Sequence, residues 1–327
     1  MEADKDTTAH AGAFGHIILC VDSSDASRCA AAFARRFVRS DTQLTIAAVA
    51  LDPHLFAPHA ALAGLDFGVA HKELVEDAKY AIAESSSELA NATASVRTQV
   101  IDLAKESGDV AHALARAAQV ERADLMILGT RQRHGLARWL DPSVTDRLSQ
   151  FAPCAMIVVP VGYDAARDAG IHRILFAVDG SPASLAAVDI GAALATPDTH
   201  IRVVYVVDRA VRYSDFVPVT ALEDAFVKEG ELAIAAAAER LESPPNVTRS
   251  HISADLISTD IASDDVSHAL LREAERWSAN LIVLGTHGRR GVMRAFFGSV
   301  ANRVASLATI PSMLVRDQHG EKDKPKA

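Results

Sequence analysis

Short apolar runs rich in β-branched residues alternate along this chain with longer stretches whose apolar positions recur at helical spacing. In the second half the strand-like runs fall at Arg173 to Val178, Ile201 to Val207, Val247 to Ile252, Leu281 to Gly285 and Ser312 to Arg316. Apart from Val247 to Ile252 the runs are mostly apolar and do not alternate, so they predict strands buried on both faces, hence a parallel sheet with helices on either side. Between the second and third runs, Thr220-Ala221-Leu222-Glu223 has the form of a capping box. A helix is expected to begin there, with Leu222, Ala225, Phe226, Leu232, Ala233 and Ala236 as its apolar stripe.

The pattern occurs twice. Sliding the sequence against itself by 156 residues lays Ala123-Asp124-Leu125-Met126-Ile127-Leu128-Gly129-Thr130 on Ala279-Asn280-Leu281-Ile282-Val283-Leu284-Gly285-Thr286. Near the start of each half, Val21-Asp22-Ser23-Ser24 answers to Val178-Asp179-Gly180-Ser181. Each half reads β-α-β-α-β-α-β-α-β, which is a tandem duplication of one α/β domain and not a short-period solenoid. The expected domains are 14–161 and 171–317. Gly162, Asp164, Arg167, Asp168 and Gly170 interrupt the apolar period between them.

Candidate chemistry sits at the end of the fourth strand of the second half. The run Gly285-Thr286-His287-Gly288 is followed, after nine residues, by Gly298-Ser299. Glycines let a phosphate come close to the backbone, and Gly298-Ser299-Val300 opens the next helix, where N–H groups and the helix dipole favour an anion. Arg289, Arg290, Arg294 and Arg303 cluster around the same loop, and Arg289 and Arg290 would neutralise phosphate charge. Neither a P-loop, G-x-x-x-x-G-K-[ST], nor the dinucleotide fingerprint G-x-G-x-x-G is present.

That spacing resembles the G-x2-G-x9-G-[ST] signature of ATP-binding universal stress proteins, with every defined position filled in the second half. The resemblance implies two flavodoxin-like or adenine nucleotide α-hydrolase-like domains, each a five-stranded parallel sheet of order 3-2-1-4-5 with helices on both faces. The ligand crevice of such a sheet lies at its switch point, here between strands one and four. Asp179-Gly180-Ser181, after the first strand, would then face Gly285, with the Asp179 carboxylate toward a ribose or a metal. Val206 matches the place where family members hold adenine through backbone groups. The nucleotide site implied is Asp179, Gly180, Ser181, Val206, Gly285, Thr286, His287, Gly288, Arg289, Arg290, Gly298, Ser299 and Val300. The cofactor would be ATP with Mg2+, the cation carried mainly by the phosphates because no P-loop lysine is present. No protein metal site and no catalytic residue is assigned.

The first half departs from this signature. Gln132 stands where Gly288 is, and Asp141-Pro142 stands where Phe297-Gly298 is. Proline has no N–H to donate, and the aspartate carries a carboxylate where a phosphate would lie. The first half is expected to fold without binding nucleotide.

Charge and composition narrow the remaining classes. A formal net charge of −9 argues against general nucleic-acid binding. No apolar run reaches the length of a membrane span, no secretory pattern opens the chain, and a cytoplasmic protein is expected. Three cysteines, Cys20, Cys29 and Cys154, lack paired spacing and read as buried free thiols. His112 and His268 occupy equivalent repeat positions, read as a shared structural role. Asp255, Asp260, Asp264 and Asp265 read as a solvated loop and a helix cap. The functional expectation is an ATP-binding regulatory protein of the stress response with protein partners the sequence does not identify. A slow ATPase or autophosphorylating enzyme, and a nucleotide-independent interaction module, are the alternatives. In the resembled family single domains pair through their last strands, which implies an intramolecular pseudo-dimer here through Ala155 to Pro160 and Ser312 to Arg316, with a further homodimer open.

Overall fold

The computed structural model describes residues 14–56, 66–90, 95–106, 108–130, 144–164, 170–208, 219–260, 264–286 and 299–317. The chain divides into two compact units, one over Phe14–Ala165 and the other carrying the residues after it. In the first, strands β1 (His16–Val21), β2 (Gln43–Ala50), β3 (Ser95–Asp102), β4 (Leu125–Thr130) and β5 (Ala155–Pro160) lie in the order β3-β2-β1-β4-β5. Helices α1 (Asp25–Ala34), α2 (Pro53–Phe56), α3 (Phe67–Glu88), α4 (Val110–Val120) and α5 (Val144–Phe151) connect them. In the second, β6 (Arg173–Ala177), β7 (His200–Val207), β8 (Ile252–Ser258), β9 (Leu281–Gly285) and β10 (Ser312–Val315) repeat the order as β8-β7-β6-β9-β10. Their connections are α6 (Pro182–Ala192), α7 (Val219–Leu241), α8 (Val266–Arg276) and α9 (Ser299–Leu307).

Every strand pairing within each unit is parallel. The first strand of each unit is centred between the second and the fourth, so its apolar run is covered from both faces: Ile17, Ile18 and Leu19, like Ile174, Leu175 and Phe176, are fully buried. The two sheets are pinned by equivalent side chains. Asp124 accepts the Gly15 N–H at 2.8 Å, and Asn280 accepts the N–H groups of His172 and Arg173 at 3.1 and 2.9 Å, tying the start of the fourth strand to that of the first.

Three local expectations are corrected. The third strand of the second unit is Ile252–Ser258 and not Val247 to Ile252, whose residues instead enter a 3-10 turn at Arg249–His251. At the sheet edge the strand is half exposed, and Asp255 within it breaks the apolar run that marks the buried strands. Helix α7 starts at Val219, so Thr220 is its second residue and not its cap. Its buried face is Gly230, Ala233, Ala237 and Leu241, whereas Leu232, counted in the stripe, is 65% exposed. Gly230 lies on that inward face, where a Cβ would run into the side chains of Leu256 and Tyr205.

Among the described residues no helix is long and apolar enough to cross a membrane. All three cysteines are free: Cys20 and Cys154 are buried and Cys29 is half-buried.

Candidate functional site

Strand order makes the site. In the second unit, β6 and β9 run side by side while their following helices leave toward opposite faces, so a crevice opens beyond their carboxyl ends. A cavity of about 550 Å3 occupies it. Ala177 to Asp179 close it from β6, Val204 to Val206 and Asp208 from β7, and Leu284 to Thr286 from β9. Helix starts supply the rest of the wall: Ser184 from α6, Asp265 to Ser267 from α8, and Ser299 to Ala301 from α9. Phe226 and Glu229 of α7 cover the side by β7.

The turn after β6 is built by short polar side chains. Gly180 takes φ 74°, a left-handed conformation that costs glycine nothing. Asp179 then folds back, its Oδ1 accepting the Ser181 N–H at 2.9 Å. Ser181 caps α6 by accepting the Ser184 N–H at 3.2 Å, with Pro182 in the first turn. In the first unit Asp22 holds the same turn, accepting the Ser24 N–H at 3.0 Å and the Ser27 hydroxyl at 2.7 Å.

Gly285 serves packing first. A Cβ there would lie 2.7 Å from the backbone of Ala183 and Ser184, so its absence lets β9 sit against the start of α6. Gly129 does the same in the first unit, where a Cβ would run into the backbone of Ala26 and Ser27. The glycine therefore persists in the half whose signature is broken. Thr286 is 5% exposed and its N–H donates to the Val315 carbonyl at 2.8 Å, so that amide belongs to the sheet and not to a ligand.

Of the residues singled out from sequence, Asp179, Val206, Gly285, Thr286, Ser299 and Val300 meet on the cavity wall. Gly180 and Ser181 stand behind it, shaping the turn. His287, Gly288, Arg289, Arg290 and Gly298 lie outside the described residues, as do Gln132, Asp141 and Pro142 of the first half.

Other wall residues carry no sequence signal for a site. Tyr205, Asp208, Phe226 and Glu229 carry no motif, and only the folding of α7 over β7 brings the last two to the cavity. Asp265 was legible as a helix cap, and its Oδ1 does accept the His268 N–H at 3.0 Å and lies 3.1 Å from His268 Nδ1. Its Oδ2 lies 2.7 Å from Arg303 Nη1 of α9. Burial raises the Asp265 carboxyl, but the His268 N–H, the Arg303 charge and the His268 ring outweigh it and hold it below the usual carboxylate range. The first unit repeats the trio: Asp109 accepts the His112 N–H at 3.2 Å and pairs with His112 Nδ1 at 2.7 Å and Arg147 Nη2 at 2.8 Å. His112 and His268 are thus partners of a helix cap in both halves.

The described wall is acidic, with Asp179, Asp208, Glu229 and Asp265 against Arg303 as its one described cation. No described group of three or more His, Cys, Asp or Glu side chains could hold a metal. What the cavity offers is carboxylates and backbone at the β7 side, and a helix start with an arginine one turn further along the same face at the α9 side.

Residues 13–160 and 170–316 each match the Universal stress protein family. A universal stress protein of Mycolicibacterium smegmatis is 28% identical over 245 residues, 74% of this chain and 77% of its own length. Among solved structures, a universal stress protein from Archaeoglobus fulgidus covers 93% of this chain and 96% of its own with a TM-score of 0.62 at 15% identity, a likeness of fold. A universal stress protein solved in complex with cAMP aligns with 44% of this chain and 96% of its own, at 21% identity and a TM-score of 0.34.

Proposed function

Since this chain belongs to the universal stress protein family, matched over both halves, we propose that its second domain binds an adenine nucleotide, ATP accompanied by Mg2+, and that the protein is a cytoplasmic regulator of stress adaptation. Bound nucleotide would alter its conformation or its choice of protein partner. The observation that carries this reading is the cavity at the β6–β9 switch point, with Asp179, Val206, Ser299 and Val300 on one continuous wall.

Its volume of about 550 Å3 suits a ligand of nucleotide size. Phosphates fit the α9 side, where the Ser299 and Val300 N–H groups stand at a helix start and Gly298 precedes them in sequence. Ribose and base fit the β6 and β7 side, where Asp179 accepts sugar hydroxyls and Val206 presents backbone. Mg2+ would enter on the phosphates, since the described carboxylates form no cage for it. The first domain, 14–161, folds without nucleotide, and the second, 171–317, carries the site.

Calorimetric titration of the intact protein with Mg2+-ATP, beside the Gly288→Gln, Gly298→Pro double variant that copies the first half, tests this. One site per chain, lost in the variant, is the expected result. Absence of binding to either protein would turn the reading toward an interaction module that keeps the loop for structure.

A further inference from the structure

We infer that Arg303 is a positioning residue for the ligand's phosphates and that Asp265 holds it in reserve until an anion enters the cleft. This deepens the nucleotide reading and rests on it.

Both residues line the cavity, and they come from different helices. Arg303 lies four residues after Ser299, one helical turn along the same face of α9, so its side chain shares the wall with the hydroxyl and N–H groups at the helix start. The guanidinium is parked on Asp265 Oδ2 at 2.7 Å, in a pair whose side chains are 45% and 40% exposed. Pairs this exposed are weakly held. A phosphate offers the same guanidinium a bidentate partner with more charge.

The division of the Asp265 carboxylate makes the exchange inexpensive. Oδ1 alone serves His268, taking its N–H at 3.0 Å and facing its Nδ1 at 3.1 Å, while Oδ2 faces Arg303. When Arg303 turns to an anion, the cap of α8 keeps its hydrogen bonds. In the first unit the labour is divided differently. Asp109 Oδ1 takes the Ala111 and His112 N–H groups, and Oδ2 is shared between His112 Nδ1 and Arg147. The first unit is thus an internal control in which the same trio serves helix packing.

The test is titration of the intact protein with Mg2+-ATP and, separately, with adenosine, in five variants: Arg303→Gln, Arg303→Lys, Asp265→Asn, Arg303→Gln with Asp265→Asn, and Arg147→Gln. Asparagine retains the capping oxygen, so the third variant folds. Arg303→Gln is expected to weaken ATP by about tenfold, the worth of one charge-assisted contact, and to leave adenosine unchanged. Arg303→Lys recovers part of the loss. Asp265→Asn tightens ATP, and the tightening vanishes in the double variant. Arg147→Gln changes neither ligand. Equal losses for ATP and adenosine, or a tightening that persists in the double variant, would overturn the inference while leaving nucleotide binding intact. Failure of the unaltered protein to bind either ligand would remove the nucleotide reading and this one with it.

Discussion

Arg122 and Ser278, 156 residues apart, both adopt left-handed backbone, with φ 53° and 54°, at the turn where α4 and α8 end and the fourth strand of each unit is about to begin. Each closes the same hydrogen-bonded motif. The Ala123 N–H reaches the Ala118 carbonyl at 2.8 Å and the Arg122 N–H reaches that of Gln119 at 3.2 Å; Ala279 to Ala274 and Ser278 to Glu275 repeat this at 2.8 and 3.0 Å. This is a Schellman ending with a side chain where glycine is ordinarily found. The duplication has therefore preserved a backbone conformation while the residue at the position changed. Ser278→Gly and Arg122→Gly should each stabilise the protein by about 1 kcal/mol, because the left-handed strain is relieved where glycine bears none. Urea unfolding of the two variants checks this; a loss of stability in both would mean that the turn is not under strain.

Gly285→Ala should destabilise the second domain before any ligand is considered. The new methyl would meet the Ala183 and Ser184 backbone at 2.7 Å, and backbone at a helix start cannot yield as a flexible side chain can. The expected cost is about 1–3 kcal/mol. Gly129→Ala, whose methyl would come to 2.2 Å from Ala26, should cost at least as much in the first domain. Thermal unfolding without nucleotide is the measurement, and an unchanged midpoint in either variant would contradict the packing role.

A charged cluster distinguishes the two cores. Arg202 of β7, 12% exposed, meets Glu273 of α8, 5% exposed, at 2.6 Å, and Asp255 of β8 at 2.8 Å; Arg276 also reaches Glu273 at 2.8 Å. The first unit carries Thr45 and Ala117 at the equivalent positions, both buried. Glu273→Ala should cost roughly 3 kcal/mol, since it strips a buried guanidinium of its shortest partner. Adding Arg202→Thr, which copies the first unit, should recover most of that loss. A double variant no more stable than Glu273→Ala in chemical denaturation would show that the cluster contributes through packing and not through charge.

Alkaline stability should depend on two buried thiols. Burial, with Cys154 nearby, pushes Cys20 up to about 12 from the ordinary 9.0, and burial with Asp124 nearby pushes Cys154 to about 12. With the folded value above the unfolded one, the unfolded chain loses its thiol protons first as pH rises. The stabilising contribution is complete below about pH 9 and is lost between about pH 9 and 12. Each thiol adds about 1.4 kcal/mol per pH unit to the decline over that window. Cys20→Ala with Cys154→Ala should flatten the alkaline limb of a stability-against-pH curve. An identical limb in the variant would count against the shift.

Much of this architecture can be read before any folding is considered. The buried strands are legible because a strand covered on both faces is mostly apolar, with Thr45 and Arg202 as exceptions, and β9, Leu281–Gly285, falls where its apolar run predicts. The edge strand β8 is hard to place from sequence because one face of an edge meets water and its pattern weakens, although β3 at Ser95–Asp102, carried forward by the repeat, points to it. The facing of α7 is hidden in the sequence for a related reason. A stretch such as Ala233-Ile234-Ala235-Ala236-Ala237-Ala238 is apolar all round, so its own composition carries no phase.

The duplication, the α/β alternation and the chemistry of the Asp179 turn and the Ser299 helix start can all be read along the chain, because each rests on neighbouring residues or on a repeated spacing. That Phe226, Glu229 and Asp265 share a cavity with them and with Arg303, and that Gly285 faces the backbone of α6, follows only from how the chain packs. Those relationships come from the parallel pairing of β6 with β9 and from helices packed over their ends. Strand order and helix rotation govern such contacts, and neither leaves a local mark on the residues it brings together.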